Sequence, residues 1–131
     1  MKTFLVDAVD CFVVEENNNF KIFPEMLNLL EDFSNPKITL TGADDQQFKD
    51  FGLGKMPYPV FTLKHNPEKT DPKYFKILLN KFGLTKDGVV YFEHNPEAIK
   101  SAQTLGIKSY FYDQNKKDLG ALRNFLEENL N

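Results

Sequence analysis

The sequence predicts a single α/β domain spanning residues 1–131, with helices covering both faces of a five-stranded parallel sheet. Three observations predict it. Short apolar runs alternate with helical periods along the whole chain. The strongest run, Val89-Val90-Tyr91-Phe92, lacks polar alternation, as expected of a strand covered on both faces. Helix boundaries are punctuated by Asp71-Pro72, Asn95-Pro96, Gly83 and Gly106.

In chain order, Phe4-Leu5-Val6 before Asp7 reads as a buried strand. Pro24-Glu25 opens a helix with Met26, Leu27, Leu30 and Phe33 at helical spacing, and Ser34-Asn35-Pro36 closes it with turn chemistry. Lys37 to Thr41 is a second strand, Asp44 to Phe51 a short helix ended by Gly52, and Pro59 to Leu63 a third strand. Proline suits that strand's first position, where a missing donor is tolerated. Asp71-Pro72 starts a helix with Tyr74, Phe75, Leu78, Leu79 and Phe82 on one face and Gly83 past its end. After the strand at Val89, a helix from Asn95-Pro96 turns Ile99, Ala102 and Leu105 inward. Ile107 to Tyr112 is the fifth strand, and Leu119, Leu122, Leu126 and Leu130 mark a closing helix.

Composition narrows the function. The net charge of −3 argues against nucleic acid or an anionic membrane as the main partner. The 13 Phe residues read as a Phe-rich core, because large aromatics fill much volume; a base-stacking platform would need basic residues interleaved with them. A lone cysteine, Cys11, forms no internal disulfide and reads as a small buried hydrophobe in a reducing compartment. The first apolar run breaks at Asp7, too early for a signal peptide, and no stretch approaches the length of a membrane span. The expected location is the cytoplasm.

Ligands of parallel α/β sheets bind at the carboxyl ends of the strands, near the switch in strand order. That rule selects the loops starting at Asp7, Thr41, His65 and Glu93. Asp7 can be a nucleophile, a metal ligand or a helix cap; Asp10 can add a ligand or fix a turn. Thr41 can donate to a phosphate oxygen, and Gly42 allows close backbone approach. Lys69 can neutralise both a carboxylate and a phosphate. His65 lies among lysines with no evident partner and reads as surface. Glu93 and His94 can hold a metal, pair with each other or stand exposed, and Asn95 reads as a helix cap. There is no Ser/His/Asp triad pattern, no zinc-type cysteine pair and no glycine-rich phosphate loop.

Together these pieces resemble the haloacid dehalogenase-like (HAD) superfamily. Phe4-Leu5-Val6-Asp7 resembles its first motif and Ile38-Thr39-Leu40-Thr41-Gly42 its second. Lys69-Thr70-Asp71-Pro72 looks like its lysine motif, and Val89 through Ile107 looks like its fourth motif and following helix. The resemblance implies a three-layer, Rossmann-like fold and a Mg²⁺-dependent phosphatase. In such an enzyme Asp7 attacks phosphorus, Thr41, Gly42 and Lys69 hold the phosphoryl group, and metal sits on Asp7, the Val9 backbone carbonyl, Glu93 and His94.

The departures are specific. Val9 occupies the position of the family's general acid, and Asp10 comes one residue late. His94 stands where an oxygen ligand is usual, and Mg²⁺ prefers oxygen, so Mg²⁺ binding is expected to be weak or absent. No cap domain fits: Asp10 to Pro24 leaves room for a short flap, and Leu63 to Lys69 for none. The expected partner is a small phosphorylated substrate or a macromolecular phosphoester, with a homo-oligomer as one way to cover the open site. The alternatives are a catalytically inactive HAD-like domain with a binding or assembly role and, far behind, a halide-releasing hydrolase. The last lacks an arginine near the site, because Arg123 on the closing helix is the only one.

Overall fold

The computed structural model describes residues 1–130. Strand β1 (Thr3–Asp7) is followed by an antiparallel hairpin, β2 (Val13–Glu16) and β3 (Asn19–Ile22), and by helix α1 (Pro24–Glu31). Then come β4 (Lys37–Leu40), α2 (Asp45–Asp50), β5 (Val60–Phe61) and α3 (Pro72–Phe82). The chain ends with β6 (Val89–Glu93), α4 (Pro96–Gln103), β7 (Lys108–Phe111) and α5 (Leu119–Glu128). Five strands form one parallel sheet in the order β5-β4-β1-β6-β7, as the alternation of apolar runs and helical periods predicts.

Strand alternation divides the core into two faces. Phe4 and Val6 of β1, with Val90 and Phe92 of β6, pack against Met26, Leu29 and Leu30 of α1 and Leu122 and Leu126 of α5. Leu5 of β1, with Val89 and Tyr91 of β6, packs against Tyr74, Phe75 and Leu78 of α3 and Ala102 of α4. The result is three layers. All five residues of β1 and all five of β6 are buried, which is why neither strand carries polar alternation.

Local chemistry sets the helix ends. Asp71 caps α3 by accepting from the Lys73 N–H at 3.0 Å, and Asn95 caps α4 by accepting from Glu97. Asp44 and Gln47 form a reciprocal capping box at α2. Gly83 ends α3 in the left-handed region, φ 64°, and a Cβ there would meet nothing within 4 Å. Gly83→Ala therefore isolates the conformational cost, expected to be about 1 kcal/mol and measurable as a lower urea midpoint at unchanged m-value.

Two expectations need correction. Strand β5 spans only two residues instead of running from Pro59 to Leu63. The Pro59 carbonyl still accepts from Thr39, but beyond Phe61 the Thr62 hydroxyl donates to the Ala43 carbonyl at 2.6 Å and draws the chain off the sheet. Leu130 lies past the end of α5, though it still packs on the core. The flap is the β2–β3 hairpin, docked through Val13 and Phe20 onto Ala43, Leu53 and Phe51. Among the described residues no helix is long and apolar enough to cross a membrane.

Candidate active site

The chain runs from β1 outward through β4 to β5, then crosses to β6 on the other side of β1. The strand order therefore switches between β1 and β6, and the carboxyl ends of these neighbours open a crevice. Asp7 ends β1 and Glu93 ends β6. By alternation, Asp7 shares its face with Leu5, and Glu93 shares its face with Tyr91. That face is covered by α3, and Lys69 lies in the segment leading into α3. The three charges are thus brought together by topology and strand parity.

The Lys69 ammonium donates to Asp7 Oδ1 and to Glu93 Oε1, both at 2.7 Å. Asp7 is 1% exposed and Glu93 0%. Two carboxylates this deep require partners, and each has several. Asp7 Oδ2 accepts from the His94 N–H at 3.2 Å, from Cys11 Sγ at 3.2 Å and from His94 Nδ1 at closer range. Glu93 accepts from the Tyr91 hydroxyl at Oε1 and from the Asn95 N–H at Oε2, the latter at 3.1 Å. The His94 ring also reaches Glu93 Oε2 at 3.2 Å and, through Nε2, Asp10 Oδ2 at 3.6 Å.

This arrangement separates the two acids. Burial alone would raise the Asp7 carboxyl, but the Lys69 ammonium and the bonds from His94 outweigh it and hold Asp7 well below the usual carboxylate range. Glu93 is pushed up, by burial first and then by the Asp7 charge, against the pull of Lys69. Burial opposes the charge on His94 too, but its bonds to Asp7 and Glu93 prevail and raise the ring to about 10. Burial and the adjacent Asp7 charge push the Cys11 thiol up, so it is a protonated donor rather than a nucleophile.

A group with a raised folded-state pKa stabilises the fold fully below its ordinary value and loses that contribution as the pH climbs through the raised one. For His94 the window runs from 6.5 to about 10. Unfolding midpoints measured across it should decline in the wild type and decline less in His94→Gln.

Beside these charges lies a cleft of about 190 Å³, lined by Asp7, Val9, Thr41, Gly42, Lys69 and His94, among others. At about 30 Å³ per water it has room for a handful of waters or one tetrahedral oxyanion. Thr41 follows β4; its hydroxyl accepts from the Ala43 N–H at 3.1 Å, leaving its own proton free to donate. A Cβ on Gly42 would make ordinary contact with the His65 and Glu68 side chains, at 3.4 and 3.5 Å, on the rim of the cleft. Val9 lies on the cleft wall and bridges to Val13. Asp10 takes a positive φ of 75° and turns to His94.

Sequence reasoning assigned Cys11 to the core alone, whereas it also donates to the central carboxylate. His65 was expected to lack a partner. It is exposed, but it contacts Glu68 at 2.7 Å and Gln47 at 2.5 Å on the cleft rim. Tyr91 and Tyr74 were read as core; their hydroxyls hold Glu93 and the carbonyls of Thr41 and Phe61. An apolar face that carries hydroxyls next to a motif was the available signal.

The donor set does not suit Mg²⁺. That ion demands near-octahedral oxygen ligands at about 2.0–2.1 Å. Here Asp7 Oδ2 is closed by an imidazole, a backbone N–H and a thiol. Glu93 is consumed by Lys69, Tyr91 and Asn95. The cluster of Asp7, Cys11 and His94 offers nitrogen and sulfur where Mg²⁺ needs oxygen.

No family model matches the sequence, and no curated protein matches it. Solved structures do. A HAD family enzyme from Bacteroides thetaiotaomicron, an Asp-to-Ala mutant in complex with magnesium and inorganic phosphate, superposes with a TM-score of 0.66 at 12% identity, over 85% of this chain and 93% of its own. The core domain of a candidate phosphoglycolate phosphatase from Streptococcus pneumoniae gives 0.59 at 18% identity, over 96% and 95%. A conserved haloacid dehalogenase-like protein of unknown function from Agrobacterium tumefaciens gives 0.59 at 20% identity, over 70% of this chain but only 45% of its own. The sheet order, the helices on both faces and these superpositions establish that the chain has the haloacid dehalogenase-like fold.

Proposed function

We propose that the cleft is a phosphoryl-transfer site, and that the chain is a slow phosphomonoester hydrolase with Asp7 as its nucleophile. The observation that carries this reading is the convergence of Asp7, Thr41 and Lys69, each from a different loop, on one cleft of phosphate size. The magnesium and inorganic phosphate in the Bacteroides neighbour's complex support an oxyanion ligand for this fold.

The chemistry follows from the contacts. Asp7 Oδ2 accepts from three donors, whereas Oδ1 accepts only from Lys69, so Oδ1 keeps a lone pair for phosphorus. Its attack forms an aspartyl-phosphate and breaks the ester P–O bond. Lys69 stays beside Oδ1 and faces the phosphoryl oxygens, with the Thr41 hydroxyl as a second donor. The leaving oxygen departs as an anion and takes its proton from water, because Val9 has none to give. Water then hydrolyses the aspartyl-phosphate and regenerates the carboxylate.

Two features make this slow. A carboxylate held so far below its ordinary pKa is a weak nucleophile, and the leaving group lacks acid assistance. The same features favour the second reading, an inactive domain that binds without turnover. The cleft has room for the phosphoryl group and opens to solvent. The remainder of the substrate lies outside, where a macromolecular phosphoester or a second copy of the chain would cover it.

The test is hydrolysis of an aryl phosphate by wild type and Asp7→Asn, each in chelator and in excess Mg²⁺. Turnover in the wild type that disappears in Asp7→Asn supports the hydrolase. Equal rates in the two proteins, or none in either, leave the inactive reading in its place.

A further inference from the structure

We propose that the His94 side chain fills, as part of the protein, the place between Asp7 and Glu93 that a divalent cation would otherwise take, so that the site is closed to Mg²⁺ and works without it.

The ring's contacts are those of a cation. Its Nδ1 lies against Asp7 Oδ2 and within 3.2 Å of Glu93 Oε2. Its Nε2 faces Asp10 Oδ2 at 3.6 Å. A protonated ring would set its positive charge among three carboxylates, with Nδ1 donating to Asp7 and Nε2 at charge–charge rather than hydrogen-bond distance from Asp10. The charge count agrees. Lys69 and His94 balance the two buried carboxylates, Asp7 and Glu93, and leave no excess negative charge at this depth for a metal to neutralise. Position 94 is also fixed from the backbone, because its N–H donates to the same Asp7 oxygen. The ring cannot leave Asp7 without either a large rotation or a break in the turn between β6 and α4.

The inference rests on the phosphoryl-transfer reading for its ligand alone; the cation claim is measured separately. His94→Asp should remove the ring and supply an oxygen donor next to Asp7. His94→Gly should remove the ring and supply nothing. Mg²⁺ would be titrated by calorimetry into all three proteins, with no phosphate present and with folding checked by circular dichroism. His94→Asp should bind Mg²⁺ at least tenfold more tightly than wild type. In folded His94→Gly, imidazole added to the buffer should compete with Mg²⁺. A smaller gain in His94→Asp, or submillimolar Mg²⁺ binding by the wild type, would overturn the proposal. The wild-type titration decides the matter even if His94→Asp does not fold.

Orthovanadate binding provides the second arm. The wild-type Kd should change less than twofold between chelator and Mg²⁺, whereas that of His94→Asp should tighten at least tenfold with the metal. If no protein binds vanadate, the phosphoryl-transfer reading fails, and the Mg²⁺ titration still settles the role of His94.

Discussion

Lys69→Met is expected to destabilise the fold by about 3–5 kcal/mol, the cost of breaking a buried ion pair from one side. Lys69 donates at 2.7 Å to both Asp7 and Glu93, and these acids are almost inaccessible to water. Methionine keeps most of the side-chain volume, so the loss reports charge rather than packing. Without the ammonium, two carboxylates share one buried site with only His94 to balance them. Two like charges in such a site do not both stay ionised. Glu93, already pushed up by burial and by Asp7, is the one that takes a proton. The variant's folded state then binds more protons than its unfolded state near neutrality, so its stability should rise as the pH falls from 7 toward 5. Adding Glu93→Gln removes the second charge and should recover part of the loss, giving a coupling of about 0.5–3 kcal/mol in a double-mutant cycle. Urea unfolding of the four proteins at pH 5 and 7 measures all of this. Additive effects at both pH values would mean that Lys69 does not hold the two acids together.

Much of the fold was legible because it rests on local rules. Asp71-Pro72, Asn95-Pro96 and Gly83 sit at helix ends as their chemistry demands, and the unbroken apolar run at Val89 marks a strand covered on both faces. The short β5 was less legible, because its end is set by a hydroxyl reaching the Ala43 carbonyl, a contact between residues 19 apart. The site divides in the same way. Asp7, Thr41 and Glu93 were legible as strand-end residues and Lys69 as the lysine before the helix at Asp71-Pro72, and all four come to the carboxyl edge of the sheet. What linear reading could not give is how the charges are shared. Cys11 lies one turn beyond Asp7, and nothing in its spacing shows that its thiol turns back to the carboxylate. His94 reads as a defective metal ligand until its ring is placed against Asp7 and Glu93. Tyr91 satisfies the apolar pattern of β6 on its own, yet its hydroxyl serves Glu93. Each of these is a tertiary contact by a residue that already satisfies its local pattern.

Val9→Asp is expected to speed hydrolysis of alkyl phosphates while leaving aryl and acyl phosphates nearly unchanged. An alkoxide is a poor leaving group and needs a proton in the transition state; a phenolate or carboxylate needs little. In the wild type the side chain beside the cleft at this position is a valine packed on Ala8, Val13, Ala43 and Leu53. A carboxyl placed there lies partly among apolar neighbours, which favour the protonated form that a general acid requires. The gain is bounded at about 10²–10⁴-fold, the usual contribution of acid–base catalysis. It should fall toward the lower end, because the new acid has no neighbours arranged to aim it, and small misplacements are costly. Some stability will be lost from the Ala8 and Val13 cluster, so folding is to be checked by thermal unfolding before rates are compared. The decisive quantity is the ratio of kcat/KM for an alkyl phosphate to that for an aryl phosphate, measured in wild type and variant. A rise in that ratio with an unchanged aryl rate places the missing function at Val9. An equal change in both rates would instead show that the substitution acted on Asp7 or on the shape of the cleft. If neither protein turns over the aryl phosphate, the inactive reading wins, with Asp7 clamped by Lys69 and His94 rather than acting as a nucleophile.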